Sequence, residues 1–371
     1  MTEKKVAAKA KKTKKIRSAV IGCGGIATWK HLPSMERLSN VEIVGFCDII
    51  LERAEQLAKQ YGTPDALVCT DYMDIINDPS IDVVHVCTPN LSHSFITIAA
   101  LEAGKDVLCE KPMAINGAEA LAMEKAAART GQILSIGYQG RHSAAAQYMK
   151  AACEAGDLGE IYYARAIALR RRGVPTWGVF LNKEEQGGGP LIDIATHALD
   201  LTLWLMDNYE VKYVVGNAYY KLGKKANMVN SWASWDPAEM TVEDSAFGFV
   251  TMANGATVSV ESSWALNIRR PTEVSCVLAG TEGGLEHMFD EVWYNSERHK
   301  RLIDLQPDLS SGGAAFYEGH KEENHDRECR LFYDAVINRT SPIVLPQQAR
   351  VVSQILEAIY ESAETQKPVY F

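Results

Sequence analysis

Short apolar runs alternate with helix-patterned stretches through the first third of the chain. Ile16 to Gly22 reads IRSAVIG and Val41 to Asp48 reads VEIVGFCD, each a buried strand. Ala66–Cys69, Asp82–Cys87 (DVVHVC), Asp106–Cys109 and Gln132–Ile136 continue the series. Between them lie helical segments running to about Leu38, from Leu51, over Tyr72–Asn77, from Ser92 to Ala103 and from Asn116 to Thr130. Continuous apolar runs without alternation fit strands covered on both faces, and helices between them predict a doubly wound parallel sheet.

The period then changes. A helix over Ala144–Ala155 and a long strand over Ile161–Arg172 lead to a helical stretch, LIDIATHALDLTLWLM. Period-two strands follow at roughly 211–220, 242–252, 256–265 and 272–279, with turn signals at Asn254-Gly255 and Thr281-Glu282-Gly283-Gly284. These predict an open, mostly antiparallel sheet, finished by helices over Glu322–Asn338 and Pro346–Thr365. The expected fold is therefore α/β, with a tail over 1–15, a Rossmann domain over 16–138 and a substrate and oligomerisation domain over 139–371. An open sheet face needs cover, so a homo-oligomer, a dimer or higher, is expected.

Charge adds one feature. The net charge is −9, yet residues 1–17 carry eight Lys/Arg against Glu3 alone. A basic tail on an acidic body suits nucleic acid or lipid; a solubilising disordered tail is the expectation here, so neither partner is assigned. No apolar run approaches the ~18 residues of a bilayer span, and the start lacks a secretory apolar core, so a cytoplasmic setting is expected. Eight cysteines without a CxxC pair fit buried thiols in a reducing compartment and no metal site.

Candidate chemistry sits at the strand ends. Gly22-Cys23-Gly24-Gly25-Ile26-Ala27 follows a strand and opens a helix, the G-x-G-x-x-A pattern that cradles a dinucleotide pyrophosphate. Asp48 ends the next strand, where a carboxylate accepts from the adenosine ribose and repels a 2′-phosphate; this selects NAD, unless Asp48 only caps the helix after it. Lys111 stands before Pro112, which excludes it from a helix and fixes it at the mouth of the sheet. His85 reads as a packed strand residue. His93 either caps its helix or lies near the nicotinamide ribose. Arg170, Arg171 and Arg172 end a strand, as a polar pocket wall or as a solvated end. Gly187-Gly188-Gly189 allows close ligand approach. Asp193 and His197 are spaced to share a helix face, where the carboxylate can orient the imidazole as a base; Asp200 lies within reach of both.

GCGGIA, Asp48, VCTPNLSH, CEKPMA and GGGPLIDIATH together resemble the Gfo/Idh/MocA oxidoreductases, over residues 16–371. The resemblance implies a Rossmann domain joined to a domain with an open sheet, and NAD-linked oxidation of sugar or cyclitol hydroxyls. It makes Lys111 catalytic with the pair Asp193 and His197, and the Lys111-Pro112 bond cis. It places Gly22, Gly24, Gly25, Ile26, Asp48, Thr88, Asn90, His93, Glu110, Lys111 and Gln139 along the cofactor. Arg141, Arg170, Arg172 and Trp177 are expected on the substrate side. RRRGVPTWG resembles a branch acting on glycosides, which favours a ring hydroxyl at C3. Inositol or a free aldose, and a hydrolase with transient NAD reduction, stay open. A non-catalytic NAD sensor is disfavoured, because the chain keeps Lys111, Asp193 and His197. In the expected mechanism His197, held by Asp193, takes the hydroxyl proton while Lys111 stabilises the alkoxide.

Overall fold

The computed structural model describes residues 15–309 and 322–371, so the tail assigned to 1–15 lies outside it apart from Lys15. The first layer is a parallel sheet of β1 (Ile16–Ile21), β2 (Val41–Cys47), β3 (Leu67–Cys69), β4 (Val83–Val86), β5 (Asp106–Cys109) and β6 (Leu134–Ile136). Its order is β3-β2-β1-β4-β5-β6, as a doubly wound fold requires. Burial of every residue of β4, β5 and β6 explains the lack of polar alternation in those runs. Around it lie α1 (Leu32–Glu36), α2 (Leu51–Tyr61), α3 (Tyr72–Asn77), α4 (His93–Glu102) and α5 (Gly117–Thr130). Asn116 caps α5 by accepting from the Glu119 N–H, and Gly131 ends it in the left-handed region.

Helix α6 (Ala144–Glu154) leads into the second sheet. Its strands are β7 (Ile161–Leu169), β8 (Val211–Tyr219), β9 (Ser245–Met252), β10 (Thr257–Ser263), β11 (Thr272–Gly280), β12 (Gly283–Met288), β13 (Glu291–Arg298), β14 (Arg301–Leu305) and β15 (Val369–Tyr370). The order is β14-β13-β12-β11-β7-β10-β9-β8-β15. All neighbours are antiparallel except β7 with β10. Sequence patterning missed β12 to β15. The first three lie toward one edge, where most residues are only half-covered and the alternation is weak.

Helices α7 (Lys183–Gln186), α8 (Thr196–Met206), α9 (Asn324–Asn338) and α10 (Pro346–Thr365) complete the fold. Helices α8 and α10 cover one sheet face, burying Ala164, Ala166, Val214, Val250, Val258 and Val260. Gly248 exists for this contact: a Cβ there would stand 2.5 Å from Ile359 of α10. The other face carries the Arg165–Glu261 ion pair and Phe249, 44% exposed.

One crossing was not expected. Helix α9 returns to the first layer, where Phe332, Tyr333 and Val336 share a core with Val20 and Phe46. The Tyr333 hydroxyl donates to Ser18 Oγ of β1 at 2.7 Å, and Asp326 accepts from Ser34 Oγ. Helix α9, although it follows the second sheet in the chain, therefore packs with the dinucleotide-binding layer. Among the described residues no helix is long and apolar enough to cross a membrane.

Candidate active site

At the ends of β1 and β4 the strand order reverses, and the glycine loop lies in that crevice. Gly22 has φ +95°, and a Cβ there would stand 2.5 Å from the Cys87 carbonyl; only glycine lets the loop pass so close to β4. A Cβ on Gly24 would meet nothing within 4 Å, so this part of the loop opens onto free space. Gly25 faces the Trp29 ring, and Ile26 is partly exposed at the start of a wide π turn over Ala27–His31. Asp48 does not cap α2. Its carboxylate accepts from the Cys23 N–H at 2.8 Å and the Ile50 N–H at 2.9 Å, fixing the glycine loop. The Thr88 hydroxyl is buried without a partner, beside Gly22. An open cradle, a ribose-position carboxylate and an orphaned hydroxyl fit a dinucleotide.

Other cofactor assignments change. His93 is fully buried, and its ring nitrogens face the Pro112 carbonyl at 2.8 Å and the Thr88 carbonyl at 2.9 Å. It does not cap α4; both ring nitrogens are engaged, tying the Thr88 loop to the residue after Lys111. Asn90 is also buried, with its amide donating to the Gln186 carbonyl, so it joins the two layers. Glu110 turns inward. One oxygen meets His31 Nε2 at 2.8 Å and the other accepts from the Lys111 N–H. Burial pushes its carboxyl up, but the His31 contact and Lys111 more than offset this and hold it at about 2. His31 continues to His85, and His85 to Tyr333, so the strand histidine belongs to a buried polar chain. Gln139 is half-buried at the start of a short 3-10 turn.

Lys111 and Asp193 do meet, and the Lys111-Pro112 bond is cis. The Lys111 ammonium donates to Asp193 Oδ1 at 3.0 Å and to the Asp193 carbonyl at 2.8 Å. The second carboxylate oxygen accepts from Trp264 Nε1 at 3.1 Å. Burial raises the Asp193 carboxyl, yet Lys111 and Arg170 outweigh it and leave it below the usual range. His197 is not held by Asp193. Residues 191–195 form a second π turn, which alters the angle between positions 193 and 197. His197 Nδ1 is buried without a partner, and the Tyr138 ring stands edge-on to the imidazole at 6.2 Å. Burial, with the Lys111 charge adding to it, pushes the imidazole down to about 3, so the ring is neutral, and the same burial weakens it as a base until a ligand changes its surroundings.

Asp200 does not reach this pair. It binds the Arg141 guanidinium through Nε at 2.8 Å and Nη2 at 2.6 Å. Arg141 is 0% exposed, and Nη1 donates to Gln348 Oε1 at 2.7 Å and to the Ile343 carbonyl. Arg141 is therefore closed to substrate and pins the linker after β6 against α8 and α10. Arg170 is held bidentately by Glu273 and lies over the Trp232 ring at 5.4 Å. Arg172 binds the Leu266 carbonyl and Asn267. Neither is a free receptor for a carboxylate or phosphate; both brace loops. Trp177 stays half-exposed.

The triple glycine serves packing rather than a ligand. A Cβ on Gly188 would stand 2.0 Å from the Tyr360 hydroxyl, and one on Gly189 2.3 Å from the Glu243 carbonyl. The buried Glu243 carboxylate accepts from the Gly189 and Leu191 N–H groups and from Tyr360, so it caps the segment bearing Asp193. Burial pushes that carboxyl up to about 7. Sequence reasoning missed His31, Glu243, Trp264 and Tyr360. None carries a motif, and each acts through a partner distant in the chain.

Residues 16–138 match the family described as "Oxidoreductase family, NAD-binding Rossmann fold", and residues 146–286 match "GFO/IDH/MocA C-terminal domain". The chain belongs to the Gfo/Idh/MocA oxidoreductase family. It is similar to D-glucoside 3-dehydrogenase of Escherichia coli K12, at 35% identity over 94% of this chain and 96% of that one. It is also similar to scyllo-inositol 2-dehydrogenase (NAD(+)) of Bacillus subtilis 168, at 24% identity over 95% and 96%. Among solved structures it matches levoglucosan dehydrogenase in complex with NADH and L-sorbose, with TM-score 0.80, 25% identity, and 96% and 99% of the two chains covered.

Proposed function

We propose that this NAD-dependent dehydrogenase oxidises a secondary ring hydroxyl of a glycoside at C3, giving a 3-keto sugar. One observation carries the reading. The Lys111 ammonium has three N–H donors, and Asp193 takes two of them. The third is left for an oxygen in the space beside the neutral His197. The similarity to a D-glucoside 3-dehydrogenase supports the choice of carbon and substrate class.

Gly22, Gly24 and Asp48 would hold the dinucleotide, which, when bound, supplies the hydride acceptor. His197 takes the proton from the reacting hydroxyl. Lys111, fixed by Asp193, donates to the same oxygen as negative charge develops on it. Tyr138 packs His197 from the side, and Trp264 holds the far oxygen of Asp193, so neither reacting group has to be reorganised.

The test is NAD⁺ reduction by the purified protein with methyl glucoside, free glucose and inositols, followed by identification of the keto position. Glycoside turnover at C3 is expected. Lys111→Met and His197→Ala should each lose roughly 10²–10⁴ in rate with the fold retained. Near-normal turnover in either variant overturns the assignment. The thiol state of all eight cysteines supports a cytoplasmic setting, and the half-open face around Arg165, Glu261 and Phe249 supports self-association, which light scattering checks.

A further inference from the structure

We infer that Trp177 and Trp232 form an aromatic subsite that receives the aglycone or second ring of a glycoside, which makes substrates larger than a monosaccharide the preferred ones. This rests on the glycoside-dehydrogenase reading above and extends it to substrate size.

The two indoles stand edge to face at 4.8 Å, and they are 49% and 46% exposed. They are not isolated on the surface. Trp177 contacts Phe180 at 5.8 Å, Phe180 contacts Trp264 at 6.5 Å, and Trp264 donates to the Asp193 carboxylate. Two ring contacts thus separate the exposed indoles from the group that holds Lys111. The segment carrying Trp177 and Phe180 starts at the end of β7 and reaches Gln186, whose carbonyl accepts from Asn90 of the first layer. It therefore crosses from the substrate sheet to the dinucleotide-binding edge.

The corner is also built rather than loose. Asn230 accepts from the Val174 N–H and donates to the Val174 carbonyl, and Ser231 donates to the Arg172 carbonyl. Arg170, locked by Glu273, supports the Trp232 ring at 5.4 Å. The polar anchors hold the backbone and, through Arg170, the Trp232 ring, and about half of each indole is left exposed. A preorganised aromatic surface beside a polar reacting centre suits a pyranose or aryl ring, whose C–H or π face stacks while the reacting hydroxyl stays at Lys111.

The experiment compares Trp232→Ala, Trp232→Phe and wild type in NAD⁺ reduction with methyl glucoside, phenyl glucoside and a β-linked glucose disaccharide. In Trp232→Ala the ratio of KM for phenyl glucoside or disaccharide to KM for methyl glucoside is expected to rise about five- to tenfold, with kcat little moved; Trp232→Phe recovers most of it. An unchanged ratio overturns the subsite. So does a change in assembly mass by light scattering with no change in ratio, which makes the corner a subunit contact. A wild type that oxidises none of the three sugars refutes the dehydrogenase reading instead. Tryptophan fluorescence quenching by phenyl glucoside then still decides the subsite: loss of quenching in Trp232→Ala upholds it, and unaltered quenching removes it.

Discussion

Asp200→Ala should damage stability far more than catalysis. The Arg141 guanidinium is wholly buried, and the Asp200 carboxylate is its bidentate counter-charge; it also meets the Gln348 amide, the Ile343 carbonyl and the Trp204 ring. Removing one member of such a pair strands a charge in the interior, at a cost of roughly 3–5 kcal/mol. For a chain of this size that is a fall in Tm of roughly 4–6 °C. The double variant Arg141→Met, Asp200→Leu should lose less than the two single variants combined, because neither charge is then left alone. The assay is thermal and urea unfolding of all three variants, beside kcat and KM measured well below the transition. A wild-type unfolding midpoint in Asp200→Ala, together with a raised KM for sugar, would return Arg141 to the substrate site and refute the structural role.

Three further outcomes follow from the geometry. Gly22→Ala places a Cβ 2.5 Å from the Cys87 carbonyl in a left-handed backbone, so NAD affinity by calorimetry should fall steeply and stability by roughly 1–3 kcal/mol; unaltered binding would contradict the cradle. Asp48→Ala should raise the kcat/KM ratio of NADP to NAD by about tenfold or more, and an unmoved ratio would leave Asp48 as a loop clamp only. Burial, with Arg327 and Arg141 nearby, pushes His142 down to about 3 from 6.5. Its folded value lies below its unfolded one, so its contribution is full above pH 6.5 and is lost as the pH falls from there toward 3, by at most about 5 kcal/mol. Urea midpoints between pH 7 and 4.5 should therefore drop less in His142→Gln than in wild type.

Much of the fold was legible because its signals are local. Continuous apolar runs marked strands buried on both faces, and glycine turns between period-two runs marked the second sheet. Helix α10 was expected over Pro346–Thr365 and occupies those residues. What escaped was long-range. Nothing local to 324–338 says that this helix returns to cover β1, since its amphipathic face would suit either layer. Arg141 reads as a substrate-side cation until Asp200, 59 residues away, is placed against it. The triple glycine reads as a ligand loop because the residues that need its space, Glu243 and Tyr360, arrive from the loop before β9 and from α10. Composition at one position cannot report a partner that only tertiary packing supplies.

The spacing of Asp193 and His197 misled for a more instructive reason. A four-residue interval places two side chains together only on a regular α-helix. Here the interval runs through a π turn, and the glycine loop is followed by a π turn as well. His31, the last residue of the first turn, meets Glu110, while Asp193, inside the second, meets Lys111. The two irregular turns thus converge on two consecutive residues at the mouth of β5. Lys111 is left with a buried anion behind it and a held anion beside it, so its charge is compensated while one N–H stays free. The imidazole of His197 gains no carboxylate partner from this arrangement, and its orientation comes from packing against Tyr138. In the function proposed above, Lys111 polarises the reacting oxygen and His197 receives its proton; the contact made by Asp193 is to the lysine rather than to the histidine.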